Sequence, residues 1–351
     1  MKKILAVYTG GTICSAQNDE NRSLNLTFAK SVLLDKFKSE CPSYVKNADE
    51  LFFDSCLESK NQTLSESMTF SKLNAIINHI KGFNASDYAG IIVLHGTDTL
   101  AFTASLFSFV FADTKIPIML VSGNRPPADN KSNANVNFKT AVELILQGIT
   151  PNVYVPYQNT DGIMYLHLGT SIMQSGSFSD DFFSASSEKS FPVTSIKETL
   201  EKCKAFSQKS TFDFAFNTLS SSEALLIHPY TGLDYSKIAL DNVKAIVHST
   251  YHSGTVCTER SYNTDTYSEY SILTLCENCR KRNIPLIIAP TRLGSNQYSS
   301  VHDLAKATNA LLLDMTTESA YTKLIFALSL NLQGVALTDF MKSEINFEFM
   351  G

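Results

Sequence analysis

Three uninterrupted apolar runs, each followed by a polar loop, constrain this chain more than any other feature of it. They lie at residues 4–8, 90–94 and 116–121. A strand without polar alternation is one buried on both faces, the pattern of a parallel sheet covered by helices. Helical periodicity fills the gaps between them, at 28–37, 70–81, 99–111 and 135–146. This alternation predicts an α/β fold with a larger, N-terminal, doubly wound and mostly parallel sheet. Such sheets bind ligands at the carboxyl ends of their strands, so function is sought in the loops after the runs.

A second, smaller α/β alternation follows, with strands expected at 243–247 and 284–289 and helices at 267–281 and 319–332. Between the two, residues 184–222 shift towards Ser, Thr and Lys. The expected division is an N-terminal catalytic domain at 1–190, a linker at 191–212 and a smaller C-terminal domain at 213–351. A length of 351 residues and a hydrophobic content of 44% suffice for two cores. The formal charge of -5 argues against a nucleic-acid partner, which needs a basic surface. No apolar run approaches the roughly 20 residues of a membrane span, and the opening run is too short for a secretory leader. No membrane partner is expected.

The 7 cysteines are odd in number and scattered, which suits a reducing, cytoplasmic setting. Cys276-Glu-Asn-Cys279 stands alone within a helical pattern and reads as core. The 7 histidines show no metal-ligand spacing, so no metal is expected.

Three loops that follow expected strands carry the chemistry: Thr9-Gly10-Gly11-Thr12-Ile13, His95-Gly96-Thr97-Asp98-Thr99, and Ser122-Gly123-Asn124-Arg125-Pro126-Pro127. After two glycines, the Thr12 hydroxyl sits where the backbone bends sharply and a ligand can approach closely. Thr97 and Asp98 open a helix, whose free N–H groups suit an oxyanion or carboxylate. A threonine hydroxyl needs a base or relay to act as a nucleophile, and a second hydroxyl beside a carboxylate supplies part of one. Together these parts point to acyl transfer on a small polar substrate. Taken singly, the Gly-Gly turn also suits a phosphate, and Thr97 and Asp98 also suit simple helix capping. His95 reads as a packing residue of its loop.

In combination, TGGTI at 9–13 and HGTDT at 95–99 resemble the signatures of the bacterial L-asparaginases, most closely the cytoplasmic type I enzymes. Ser65-Glu66-Ser67-Met68 resembles that family's substrate-binding segment, Gly123, Arg125 and Pro126 its Gly-x-x-Arg-Pro loop with one residue fewer between Gly and Arg, and 314–324 a stretch typical of type I members. The resemblance implies cofactor-free hydrolysis of L-asparagine to L-aspartate and ammonia. It implies Thr12 as nucleophile, Thr97 as relay and Asp98 as holder of the substrate α-amino group. Ser65 and Glu66, with Gly11 and Gly96, would line the substrate pocket. It also implies a homodimer or homotetramer in which a neighbouring subunit completes the site, with His252 and Ser253 as candidates.

Two departures stand out. The family's relay lysine has no counterpart, since no lysine occurs between Lys139 and Lys189, and Gln174 falls at its position. The loop at 14–26 lacks the family's tyrosine, leaving Arg22 and Ser23 nearest. These departures admit two alternatives: a catalytically impaired amino-acid-binding or regulatory homologue, or an amidase for glutamine or another amide. A third reading, an asparaginase-like component of a tRNA amidotransferase, is disfavoured by the acidic charge and by the position of the first loop. Such components carry an extra domain ahead of this loop, which starts here at residue 9.

Overall fold

The computed structural model describes residues 2–17, 22–42, 51–207, 218–220, 223–261, 266–292, 298–306 and 310–351, with backbone alone at Gln17 and Arg22. The chain divides into two compact units, Met1–Phe214 and Ala215–Gly351.

The first unit opens with β1 (Lys3–Tyr8), then an antiparallel hairpin of β2 (Ser15–Gln17) and β3 (Arg22–Leu24). It continues through α1 (Leu26–Glu40), β4 (Phe52–Cys56), α2 (Phe70–Lys81), β5 (Tyr88–Leu94), α3 (Leu100–Val110) and β6 (Ile118–Val121). It closes with α4 (Ala134–Leu146), β7 (Val153–Gln158), β8 (Met164–Leu168), β9 (Ser190–Pro192) and α5 (Ile196–Cys203). Seven strands form one sheet in the order β4-β1-β5-β6-β7-β8-β9. β4 to β7 pair in parallel; β8 and β9 add an antiparallel edge. From β1 the chain goes to β4 on one side and returns to β5 on the other. The loops after β1 and β5 therefore part, and a crevice opens at the carboxyl ends of these two strands.

The expected strands are central because they are apolar throughout: Ile4 to Tyr8 have no exposure, and Ile92 to Leu94 and Ile118 to Val121 have none either. In α3 every residue except Phe102 is buried, as expected of a helix that is apolar all round. Thr69 caps α2 by accepting the Lys72 N–H, and Gly82 ends it.

The second unit contains β10 (Ala224–Ile227), β11 (Ala245–His248), α6 (Ile272–Arg282), β12 (Leu286–Ile288), α7 (Ser299–Lys306), β13 (Ala310–Leu312), α8 (Thr317–Ser329) and α9 (Gly334–Lys342). Its four strands lie in chain order, all parallel. One apolar layer joins Ile246, Leu286 and Ile288 to Leu275, Cys276 and Cys279 of α6. The other joins Val247 and Ile287 to Ala320 and Leu324 of α8. Burial pushes the Cys276 and Cys279 thiols up to about 12, so both remain protonated core groups. The fold is the expected one: a large, mostly parallel sheet unit and a smaller α/β unit.

Two expectations need correction. The helix expected from residue 267 starts at Ile272, because the Ser271 hydroxyl accepts the Leu273 N–H and Tyr267 is spent in a bridge with Arg260. The stretch expected as a linker from 191 carries the end of β9 and all of α5, whose Cys203 is buried. Residues 208–212 of that stretch lie outside the described residues. Among the described residues no helix is long and apolar enough to cross a membrane.

Candidate active site

Gly10 and Gly11 take φ of 129° and 76°, in the region that favours glycine. Space demands it as well. A Cβ at Gly10 would lie 2.0 Å from the Thr63 carbonyl oxygen, and one at Gly11 would lie 2.3 Å from the Gly96 Cα. A Cβ on Gly96 would in turn meet the Ser65 Cβ at 2.4 Å. Three separate stretches, each followed or formed by a candidate residue, thus meet backbone against backbone with no room for a methyl group. The Gly11 N–H donates to the Thr63 carbonyl at 3.0 Å, and the Thr63 N–H to the Thr9 carbonyl at 3.1 Å. The Thr9 hydroxyl donates to the Leu94 carbonyl at 2.7 Å, tying the end of β1 to the end of β5. Thr12 begins the single 3-10 turn that follows, half-buried.

Ser65 is buried, and its hydroxyl accepts the Thr99 N–H at 3.1 Å while the Thr99 hydroxyl donates to the Ser65 carbonyl at 3.2 Å. Ser65 thus satisfies an N–H at the start of α3 that Thr99 itself does not cap. Glu66, next to it, is exposed. Lys72 fastens the segment by donating to the Thr63 hydroxyl at 2.6 Å and the Ser67 carbonyl at 3.0 Å.

His95 is fully buried and burial lowers its pKa to about 4, so its ring is neutral near pH 7. Its Nδ1 lies 2.7 Å from the Gly96 carbonyl, which can only accept. The proton is therefore on Nδ1, and Nε2 accepts from the Thr103 hydroxyl at 3.0 Å. The ring holds the loop in shape, as a packing residue does.

A cavity of about 450 Å³ opens beside this junction. Its walls include Thr97, Asp98, Asn124, Tyr157, Gln174 and Phe182. Gln174 thus faces the same space as Thr97 and Asp98. Neither lysine nor arginine is among its lining residues, and Thr12, Ser65 and Glu66 stand outside that lining. Asn124 donates to Asp180 across the rim at 3.3 Å. Tyr157 packs edge-on against Phe182 with ring centres 4.8 Å apart. Burial pushes its hydroxyl up to about 12, which keeps it a proton-bearing donor. Sequence reasoning missed Tyr157 and Asp180, and passed over Asn124 inside a quoted loop. The only signal was position: Tyr157 and Asn124 both follow apolar strand residues at carboxyl ends of the sheet.

The remaining candidates lie elsewhere. Arg125 pairs with Asp129 at 3.3 Å within its own turn. Ser23 is exposed in the hairpin, and the Arg22 side chain lies outside the described residues. His252 and Ser253 are exposed in the second unit, after β11, where the Ser253 and Thr255 hydroxyls share a hydrogen bond of 2.8 Å. Both line a separate cavity of about 340 Å³ with Thr291 and Arg292.

A family model described as Asparaginase, N-terminal, matches residues 3–210. An L-asparaginase of Thermococcus kodakarensis is 32% identical over 171 residues, 48% of this chain and 47% of that protein. The match thus spans about half the length of that relative. A component of the glutamyl-tRNA(Gln) amidotransferase of Methanosphaera stadtmanae is 26% identical over 93% of this chain and 72% of its own length. Among solved structures, L-asparaginase I of Vibrio cholerae superposes with a TM-score of 0.70, at 22% identity and 99% coverage of both chains.

Proposed function

The chain belongs to the asparaginase family, and on that premise we propose that it is a cofactor-free amidohydrolase that converts L-asparagine to L-aspartate and ammonia. The Thr12 hydroxyl attacks the side-chain amide carbon; the C–N bond breaks, and the nitrogen leaves as ammonia with the proton that Thr12 gives up. Water then hydrolyses the threonine ester and frees aspartate. Thr97 relays the proton, Asp98 holds the α-ammonium, and the turn at Ser65 and Glu66 meets the α-carboxylate. N–H groups at the start of α3 face the developing oxyanion.

The observation that carries this reading is the contact of Gly11, Gly96 and Ser65, which brings the three signature segments together. A cytoplasmic setting is supported by seven free cysteines. A homodimer or homotetramer is supported by Phe178, exposed on the rim of the cavity, and by Phe183, exposed just beyond it. Light scattering after gel filtration measures the assembly directly.

Gln174 favours a second reading. A cavity without a cation binds the amino acid yet lacks a proton carrier beside Asp98. In that case the chain is a binding or regulatory homologue with little turnover. A screen of ammonia release from L-asparagine, L-glutamine and their D-forms separates the readings, and calorimetry on the same samples reports binding. Hydrolysis of L-asparagine supports the first; binding without ammonia supports the second. Glutamine differs by one methylene, worth only about 1–3 kcal/mol of discrimination. Preference for glutamine would move the reading to a glutaminase-type amidohydrolase.

A further inference from the structure

We infer that Asn124 and Asp180 together read the side-chain carboxamide of the substrate against the carboxylate of the product, an inference that rests on the amidohydrolase reading. Both line the cavity that holds Thr97, Asp98 and Gln174, and both keep accessible surface: Asn124 is half-buried and Asp180 exposed.

The Asn124 amide can face only one way. Its Oδ1 accepts the Asn133 N–H at 3.2 Å, and the Asn124 N–H donates in return to the Asn133 Oδ1 at 2.9 Å. A backbone N–H can only donate, so the amide oxygen is committed to Asn133 and the Nδ2 faces the cavity. There it donates to the Asp180 Oδ2 at 3.3 Å. The loop is closely seated as well, since a Cβ at Gly123 would lie 2.6 Å from the Ala134 Cβ. Across the cavity, the residues beside Asp180 hold its turn. Asp181 accepts the Thr160 N–H at 2.6 Å and the Thr160 hydroxyl at 2.8 Å. The Ser175 hydroxyl lies 2.9 Å from the Ser179 carbonyl and 2.8 Å from that of Asp181.

Among the described residues, the Asn124 Nδ2 has this one acceptor and the Asp180 Oδ1 has no donor. One N–H and one carboxylate oxygen thus stand unspent side by side. They complement a primary carboxamide, which accepts at its oxygen and donates at its nitrogen. A carboxylate in the same place has no hydrogen to give and sets its charge against Asp180, with neither lysine nor arginine in the lining to offset it. The pair ignores chain length: it takes asparagine and glutamine alike and separates either amide from its acid.

Steady-state ammonia release from L-asparagine, with L-aspartate as inhibitor, tests this in two isosteric variants. Asp180→Asn removes the charge. It should strengthen inhibition by L-aspartate about threefold and raise KM for L-asparagine by a similar factor, the range of an exposed charge interaction. The two constants then move in opposite directions, which a merely loosened cavity does not produce. Asn124→Asp keeps the acceptor for Asn133 but turns the donor into a second anion, and should weaken both ligands. Thermal midpoints equal to that of the unaltered chain confirm the fold. Constants that move together or stay put in Asp180→Asn, or tighter L-aspartate inhibition in Asn124→Asp, would overturn the inference alone. No ammonia from the unaltered chain would overturn the amidohydrolase reading, and this inference with it.

Discussion

A glutamine amide at position 174 shares a cavity with Thr97 and Asp98, and an amide neither carries charge nor exchanges a proton near neutral pH. If proton movement limits turnover, Gln174→Lys should raise kcat for ammonia release by about a hundredfold, the low end of general acid–base contributions. KM should change less, since Gln174 is not one of the groups assigned to hold the substrate's α-ammonium or α-carboxylate. Steady-state kinetics on the two proteins decide; an unchanged kcat would show that the lysine is not what the site lacks. The glycine at position 11 is bound by sterics instead. Gly11→Ala adds both a left-handed backbone and a 2.3 Å clash, and should lower stability by at least about 2 kcal/mol. Gly148→Ala has a similar φ of 82° but nothing within 4 Å, so it should cost about 1 kcal/mol. Denaturant titration of both variants separates strain from crowding.

Among the elements, β1, β5 and β6 were legible because uninterrupted apolar runs admit few other burials. β4 was not: Phe52-Phe53-Asp54-Ser55-Cys56 is an edge strand with its second Phe exposed, and its pattern gives neither a clean run nor alternation. α5 did carry a signal that compositional reading overrode. Ser195 caps it by accepting the Glu198 N–H at 3.3 Å, the S-x-x-E spacing of a capping box. The closing turn of the second unit hangs on a buried pair, Lys323 of α8 with Glu348 near the end of the chain, that sequence reading did not isolate. Lys323 donates to Glu348 at 2.5 Å, to the Met341 carbonyl at 3.2 Å, and to the Ser343 carbonyl. Glu348 also accepts the Ile345 and Asn346 N–H groups. Removing one partner strands the other, so Glu348→Ala should destabilise by about 3–5 kcal/mol. Thermal unfolding measures this, and a loss below about 1 kcal/mol would mean the pair is dispensable.

For the whole molecule, buried imidazoles work against stability in acid, His95, His167 and His248 most strongly. Burial lowers His95 and His248 to about 4 and His167 to about 3. An unfolded histidine binds its proton near 6.5, so between that pH and about 4 the unfolded chain takes up protons that the folded chain refuses. Stability should be fully present above pH 6.5 and fall as pH drops towards 4. Urea midpoints across that range test the sign; a flat or rising profile would contradict it. The architecture and the meeting of the loops at Gly11 and Gly96 were readable because glycines and strand ends fix them locally, whereas Ser65 was placed by the family resemblance. The cavity's far wall, with Tyr157, Asp180 and Phe182, was not readable, since it depends on how the antiparallel edge and the 175–182 segment fold back in three dimensions.

The proposed chemistry stands or falls with the threonine at the end of the first strand. Purified chain and its Thr12→Ala variant, at equal concentration with L-asparagine, give the direct comparison through ammonia released over time. Steady release is expected from the unaltered chain, and none above background from the variant. Equal release from both would contradict a threonine nucleophile at position 12.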